Sequence, residues 1–148
     1  MLNKIPTEAQ EQQKVVQWLK MKKITFFAPT NENKYGGVIR STLIALLGQR
    51  RGVQVASRVI ASIQKSLASI GFIKGVSDLV IFLPNKILFI EMKRQGVKLK
   101  SGKISHTNSK ISPEQLAFLD KVNKYPYSKG YVAYGFDEAV DIIEKELV

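Results

Sequence analysis

The sequence predicts an α/β fold in which four strands are flanked by helices. Two apolar runs, residues 79–83 and 87–90, surround a Pro84-Asn85 break, and this pattern is typical of a β-hairpin with largely buried strands. Segments with helical spacing of apolar residues precede and follow the hairpin. A length of 148 residues is enough for one domain with its own core, and the sequence contains neither internal repeats nor an evident interdomain linker.

The N-terminal segment predicts a helix over residues 7–22. Thr7 and Gln10 form a capping-box pattern at its start. The apolar stripe of this helix includes Val15, and a step of seven residues back along the same face leads to Glu8. Glu8 therefore has two open interpretations. It either complements the helix dipole or points its carboxylate into a functional site.

A helical insertion is predicted at residues 34–70, between a first strand at residues 24–28 and the hairpin. Apolar residues recur at helical spacing over residues 38–47 and 53–70, and Gly71 is a natural stop for the second helix. The insertion therefore consists of two successive helices.

Glycine-containing segments bound these two predicted helices. We interpret Gly36-Gly37 as a hinge before the first helix, because glycine tolerates conformations that other residues avoid. Residues 48–52, which begin and end with glycine, are expected to connect the two helices.

The C-terminal part predicts a helix, a strand and a closing helix. Ser112-Pro113-Glu114-Gln115 has the residues of a helix start, with serine as the cap and proline at the first helical position. Gln115 either closes the capping box only or also reaches a site. A strand at residues 130–134 and an amphipathic helix at residues 137–147 complete the chain.

The charge distribution favours a polyanionic partner. The chain carries 23 Lys and Arg residues against 12 Asp and Glu residues, a net charge of +11, with a sequence pI near 9.9. Such a balance indicates nucleic acid as the partner, with an acidic membrane surface as the alternative. Residues 94–111 form a basic segment that we expect to be a mobile loop, and its His106 is expected to touch phosphate or solvent. The candidate DNA contacts are Arg40, Arg50, Arg51, Arg58, Lys74, Arg94, Lys98, Lys100, Lys103 and Lys110.

Cysteine is absent from the sequence, so disulfides and thiolate metal sites are excluded. No stretch has the length of a membrane-spanning helix, and the first residues do not form a signal-peptide core. We expect a soluble protein in the cytoplasm of a bacterial or phage-infected host cell, with no membrane partner.

Two acidic residues stand out within the basic region. Between Asn33 and Pro113 there are fourteen Lys or Arg residues, whereas Asp78 and Glu91 are the only two acids. A two-residue turn at Pro84-Asn85 would place Asp78 opposite Glu91, with side chains about 5 Å apart. Proline is poor in the tight turns of two-residue hairpins, so the alternative is a longer loop with a shifted register. Lys93 projects from the same face as Glu91.

Adjacent, partly desolvated carboxylates repel each other, and a divalent cation removes that conflict. Two hard oxygen ligands suit Mg²⁺ or Mn²⁺ rather than zinc. The alternative is that Asp78 is a turn residue at the start of a strand and that Glu91 and Lys93 decorate an exposed edge. The absence of other acids from this basic region favours the metal site.

The chain resembles the PD-(D/E)xK nuclease superfamily and, more narrowly, the VRR-NUC family, small stand-alone members of which are common in phages and prophages. The resemblance covers nearly the whole chain except residues 34–58. It rests on the order of the predicted elements and on short motifs. These motifs are Glu8 in the first helix, Pro29-Thr30-Asn31-Glu32, Lys74-Gly75-Val76-Ser77-Asp78, Glu91-Met92-Lys93, Ser112-Pro113-Glu114-Gln115 and the final Tyr-Val-Ala-Tyr strand.

This resemblance implies a restriction endonuclease-like core with a mixed four-stranded sheet. It also implies that Asp78, Glu91 and the Met92 carbonyl ligate the metal, that Lys93 is the catalytic lysine, and that Glu8 and Gln115 complete the site. Two positions depart from the family pattern. Ser77 replaces the usual proline, and Leu119 stands where some relatives have tyrosine four residues after the glutamine.

The resulting expectation is a Mg²⁺- or Mn²⁺-dependent DNA endonuclease. Related minimal enzymes resemble homodimeric Holliday-junction resolvases, so we expect structure-selective cleavage by a homodimer, with the helices of residues 38–70 as a dimer or DNA-contact element. Cleavage of flaps, nicks or single-stranded DNA is an alternative. A non-catalytic basic DNA-binding module is another, and a peripheral membrane protein is a weaker one because a basic amphipathic helix with aromatic anchors is missing.

Overall fold

The structure is a computed structural model that describes residues 5–29, 32–99, 101, 103–105 and 109–148, without the side chains of residues 32–34 and 98. The chain forms two compact units. The sheet unit comprises Met1–Pro29 and Gly75–Val148, and the helical unit comprises Thr30–Lys74. The elements in chain order are α1 (Glu8–Met21), β1 (Thr25–Phe27), α2 (Glu32–Leu47), α3 (Gln49–Ser69), β2 (Leu79–Phe82), β3 (Ile87–Lys93), β4 (Val97–Lys98), β5 (Ile104–Ser105), α4 (Pro113–Val122), β6 (Ser128–Tyr134) and α5 (Phe136–Leu147).

The sheet unit is built on a mixed four-stranded sheet in the order β1-β2-β3-β6. The first three strands pair antiparallel, whereas β3 and β6 pair in parallel through a crossover that contains α4. This arrangement confirms the predicted fold class, including a helical insertion between the first strand and the hairpin.

The β2–β3 hairpin has the predicted register. Phe82 pairs with Ile87, and the Leu83 N–H donates to the Lys86 carbonyl at 2.9 Å. Pro84 and Asn85 therefore form a two-residue turn, and the alternative of a longer loop with a shifted register is wrong. The apolar residues on both strands explain why this hairpin lies in the middle of the sheet.

The two faces of the sheet have different cover. On one face α1 and α5 pack on a core that includes Leu19, Leu88, Ile90 and Ile143, each fully buried. On the other face α4 packs on β3 and β6, with an edge-on contact between Phe89 and Phe118. Alternation along β3 therefore sends Leu88, Ile90 and Met92 to the core and leaves Phe89, Glu91 and Lys93 on the α4 face.

A buried carboxylate joins α1 to α5, and the sequence did not reveal it. The Glu11 side chain is fully buried, and one of its oxygens accepts a hydrogen bond from the Phe136 N–H at 3.0 Å. Phe136 is the first residue of α5, so Glu11 satisfies a free N–H at the positive end of that helix. This contact fixes α1 against the element that follows β6.

The helical unit differs from its prediction at both helix starts. Helix α2 begins at Glu32 rather than residue 38, so the predicted Gly36-Gly37 hinge is wrong because both glycines lie inside the helix. The physical reason is packing. A Cβ on Gly36 would make only an ordinary contact with the Ile60 side chain at 3.7 Å, whereas a Cβ on Gly52 of α3 would lie 2.5 Å from the Ile44 Cα of α2. The two helices therefore pack closely, and this packing offsets the low helix propensity of glycine.

Helix α3 begins at Gln49, so Gly48 is the connection and the predicted linker over residues 48–52 is mostly helical. The end of α3 follows its prediction. Gly71 has a positive φ of 89°, its N–H donates to the Ala68 carbonyl, and the Phe72 N–H donates to the Leu67 carbonyl. These two bonds are those of a Schellman motif.

Strand boundaries shift by one or two residues elsewhere, and the basic segment is more ordered than predicted. Within residues 94–111, which were expected to form a loop, β4 and β5 pair as a small antiparallel sheet. His106 and Lys100 lie outside the described residues. No helix in the described part of the chain combines the length and hydrophobicity needed to cross a membrane.

Gly75 provides a test of the packing that positions α4. Its φ is +83°, and a Cβ there would lie 2.6 Å from the Glu114 carbonyl carbon in the first turn of α4. Gly71 has a similar φ of +89° but nothing within 4 Å of its Cβ position, which makes it a matched control.

We predict that Gly75→Ala lowers the free energy of unfolding by about 1–3 kcal/mol more than Gly71→Ala, because both substitutions strain the backbone but only the first also overpacks the structure. Urea titration followed by circular dichroism measures both values. Equal losses in the two variants would contradict the close approach of residue 75 to α4.

Candidate active site

Hairpin register brings Asp78 and Glu91 together. Leu83 and Lys86 form a hydrogen-bonded pair, and such pairs alternate with non-hydrogen-bonded pairs along an antiparallel ladder. Counting outward from this pair, Asp78 and Glu91 occupy a non-hydrogen-bonded position, one step beyond the Leu79–Ile90 pair. Side chains are closest at such positions, so both carboxylates share the α4 face of the sheet.

The Asp78 carboxylate completes the hydrogen bonding of β3 where β2 has not yet begun. Its Oδ2 accepts a hydrogen bond from the Met92 N–H at 3.0 Å. Its main-chain carbonyl accepts from the Gln12 side chain at 3.2 Å, which ties this residue to α1. Asp78 is only 8% exposed, so these bonds hold a largely desolvated group in one position.

Glu91 and Lys93 form a buried ion pair. The Lys93 Nζ lies 2.8 Å from the Glu91 Oε1, and the two residues are 5% and 1% exposed. A buried charge requires a partner and hydrogen bonds. Lys93 has both, because it also donates to the Gln115 Oε1 at 3.2 Å.

Gln115 both closes the capping box of α4 and reaches the charged residues of the site. Its Oε1 accepts from the Ser112 N–H at 2.9 Å, and the Ser112 Oγ accepts from the Gln115 N–H at 3.2 Å, which completes the capping box. Its Nε2 also donates to the Glu91 carboxylate. The first turn of α4 therefore contacts both charged residues of β3.

The pKa of Glu91 responds to its burial and to the acidic groups around it. Burial, and then the Asp78 carboxylate, raise the pKa of Glu91 to about 7 from an ordinary value of 4.5. Lys93 opposes this rise, while the charge of Glu8 adds to it. Glu8 is therefore near enough to act on the pair from the first turn of α1, in addition to lying at the helix N-terminus.

The donor set suits a hard divalent cation. Among the described residues there is no group of three or more His, Cys, Asp or Glu side chains placed to hold a metal, so a cation at this position would rely on the two carboxylates and a main-chain oxygen. The Met92 carbonyl lies on the same side of β3 as its N–H, which bonds to Asp78, whereas the Lys93 carbonyl faces β6 and accepts from the Gly135 N–H. Oxygen ligands with remaining positions for water match Mg²⁺ or Mn²⁺.

The predicted DNA contacts have different surroundings. Five of them lie exposed on the helical unit, and Lys103 and Lys110 lie exposed on the sheet unit. The Arg94 guanidinium instead donates to the carbonyls of Ile5 and Pro6, at 2.8 and 3.0 Å, so it holds the segment before α1. The side chain of Lys98 and the whole of Lys100 lie outside the described residues. The five on the helical unit are Arg40, Arg50, Arg51, Arg58 and Lys74.

Comparison with known proteins supports the fold. No family model matches the sequence, and no curated protein matches it. Among solved structures, the chain is similar to one described as a VRR_NUC domain protein, with a TM-score of 0.61 and 18% sequence identity. The likeness covers 96% of this chain and 88% of that chain. At this identity the comparison establishes a shared VRR-NUC fold.

The raised pKa of Glu91 leads to a pH-dependent prediction for the metal-free protein. Between about pH 4.5 and 7 the folded protein holds a proton on Glu91 that the unfolded chain releases, so this group makes stability fall as pH rises through that interval. Glu91→Gln cannot ionise. We predict that between pH 5 and pH 8 the stability of this variant relative to the wild type rises by about 1–3 kcal/mol.

Urea midpoints at both pH values in EDTA measure this difference. Mg²⁺ at pH 8 is expected to stabilise the wild type but not the variant, because a cation binds the ionised carboxylate. A stability difference that does not change with pH would contradict the proposed environment of Glu91.

Proposed function

We propose that this protein is a Mg²⁺- or Mn²⁺-dependent DNA endonuclease that hydrolyses phosphodiester bonds. The observation that carries the proposal is the buried group formed by Asp78, Glu91 and Lys93 on one face of the sheet. Burying two neighbouring carboxylates costs free energy that Lys93 offsets only in part, since the pKa of Glu91 remains raised to about 7. The chain around them has a net charge of +11 that attracts phosphates. The shared fold with a VRR_NUC domain protein supports the same conclusion.

Asp78, Glu91 and the Met92 carbonyl would hold the metal. When bound, such an ion supplies positive charge to the phosphate and lowers the pKa of a bound water. The chain itself supplies the orientation. Met92 N–H fixes the Asp78 carboxylate, and Gln115 fixes Glu91.

We assign to Lys93 the role of orienting the attacking water. Its ammonium group is a compact donor held between Glu91 and Gln115, so it can direct one N–H towards a water placed in line with the scissile bond. Gln115 keeps that geometry because one amide contacts both the lysine and the carboxylate. Glu8 adds negative charge near the pair, which favours a cation there.

A non-catalytic DNA-binding module is the rival proposal, and burial argues against it. Binding to DNA needs a positive surface, and this surface does not need acidic groups. Asp78 and Glu91 are 8% and 1% exposed and raise the energy of the metal-free protein by repulsion. Binding alone gives this repulsion between two buried carboxylates no role.

The finer proposal concerns the substrate. We infer structure-selective cleavage of four-way junctions by a homodimer, because a symmetric junction calls for two cleavage sites related by a two-fold axis. The exposed arginines of α2 and α3 make the helical unit a candidate for DNA or dimer contacts. Flaps, nicks and single strands are the alternative substrates.

Substitution of the site residues tests the activity. We expect Asp78→Asn and Lys93→Met each to reduce Mg²⁺-dependent cleavage by about 100-fold or more, because each removes a group that acts on the reacting atoms. Asp78→Ala and Lys93→Ala should do the same. Cleavage of labelled DNA with Mg²⁺, Mn²⁺ or EDTA measures this effect.

The matched control is Asp141→Asn, which removes an exposed carboxylate on α5. It should cut like the wild type, and all variants should bind DNA in EDTA with unchanged affinity. Full activity in EDTA, or in either site variant, would overturn the proposed enzyme.

A substrate panel tests the finer proposal. We expect a four-way junction to be nicked symmetrically and faster than linear duplex, flap, nicked or single-stranded DNA of matched sequence. We also expect a solution mass of twice the 16.6 kDa chain by light scattering. A monomer, or equal cleavage of the linear duplex, would contradict junction selectivity by a homodimer without affecting the proposed chemistry.

A further inference from the structure

Two tyrosines form an exposed aromatic surface between α4 and β6. The rings of Tyr125 and Tyr127 lie with centroids 5.8 Å apart at an interplanar angle of 31°, and the two residues are 54% and 57% exposed. Single exposed aromatics are common, whereas two in mutual contact form a larger apolar surface. We call this pair the tyrosine platform.

The backbone under the platform is held on both sides. The Tyr125 N–H donates to the Val122 carbonyl, and the Tyr125 carbonyl accepts from the Ser128 N–H, each at 3.2 Å. The Tyr127 carbonyl accepts from the Ile87 N–H at 2.8 Å, which links the loop to the start of β3. Ser128 is only 3% exposed and donates its hydroxyl to the Val122 carbonyl. The rings therefore project from a fixed segment.

The surroundings of the platform are basic. Lys121, Lys124 and Lys129 are exposed within a few residues of the rings. The nearby acids are Asp120, which is exposed, and Glu146, which is already paired with Lys86 at 2.7 Å and feels the charge of Lys129. The lysines outnumber these acids, so the ring surface adjoins net positive charge.

We propose that the tyrosine platform binds the bases of an unpaired nucleic-acid strand. Planar bases stack on aromatic rings, and flanking lysines attract the phosphates between them. In a duplex the base faces are already covered by neighbouring bases, so the platform selects unpaired segments. The proposal rests on the proposed DNA-cleaving function and adds a second contact to it.

The loop that carries the platform lies at the start of β3, and the carboxylate of Glu91 belongs to the other end of that strand. Tyr127 bonds to Ile87 at one end of the strand, and Glu91 lies four residues further on, which is about 13 Å at the rise of a strand. This distance corresponds to about four stacked nucleotides. An unpaired strand that contacts both the platform and the site would therefore span at least about four nucleotides. A four-way junction is fully paired, so this contact is separable from junction selectivity.

The test is equilibrium binding in EDTA by fluorescence anisotropy, with the full chain and three labelled probes. The probes are a 20-nucleotide oligo-dT, an abasic strand of the same length and a duplex. We expect the double variant Tyr125→Ala, Tyr127→Ala to bind oligo-dT at least about tenfold more weakly, because base stacking on both rings is lost. Its affinities for the abasic strand and the duplex should remain within about twofold, because the charges are unchanged.

Two control variants sharpen the test. Tyr125→Phe, Tyr127→Phe keeps both rings and should bind oligo-dT like the wild type. Tyr35→Ala removes an exposed tyrosine from the helical unit and should also leave oligo-dT binding unchanged. Photo-crosslinking to a strand that carries 5-iodouracil should label Tyr125 or Tyr127, as read by mass spectrometry.

Equal binding of oligo-dT and the abasic strand by the wild type would overturn the platform, as would an alanine variant with wild-type affinity or crosslinks confined to other regions. These results would leave the nuclease proposal intact if Asp78→Asn still abolishes cleavage. Conversely, a protein that does not cut DNA but loses oligo-dT binding in the alanine variant would retain the platform and lose the proposed enzyme.

Discussion

The antiparallel register of β2 and β3 is the constraint on which the site depends. A two-residue turn makes Asp78 the neighbour of Glu91, and a slip of one residue would send one of them to the opposite face of the sheet. Apolar side chains hold that register, since Leu79 and Ile90 are fully buried on the core face. The hydrophobic core on one face thus fixes a repulsive charge pair on the other. Without that core the two carboxylates would separate and become solvated.

Helix α4 provides the second fixed point. Its N-terminal turn needs partners for its free N–H groups, and Gln115 satisfies this need while it also contacts Glu91 and Lys93. The Gln115 side chain therefore both caps the N-terminus of α4 and aligns the charged residues of the site. The segment at Gly75 packs closely on the same turn, so the approach to Asp78 is fixed from α4 as well as from β3.

Local sequence signals predicted the elements well, and long-range contacts account for what they missed. Capping boxes at Thr7 and Ser112 fixed two helix starts because those hydrogen bonds lie within four residues. The capping of α5 by Glu11 was not predictable, since its partner Phe136 lies far along the chain and nothing near Glu11 signals burial. The prediction of a Gly36-Gly37 hinge failed for the same reason, because the packing of α2 on α3, which is closest at Gly52 and Ile44, overrode local propensity. The register placed Asp78 beside Glu91, whereas the bond by which Gln12 holds Asp78 from α1 joins residues 66 positions apart and has no local signal.

Strand β3 also relates chemistry to binding in this protein. Its last residues carry the carboxylate and the lysine, while its first residue bonds to the loop that bears the two tyrosines. A strand in the middle of a sheet, paired on both sides, changes length very little. The backbone separation between the loop that carries the tyrosine platform and the end of β3 that carries Glu91 and Lys93 is therefore fixed by strand geometry. If both surfaces contact one strand of DNA, this fixed backbone separation limits which phosphates of that strand can reach the site.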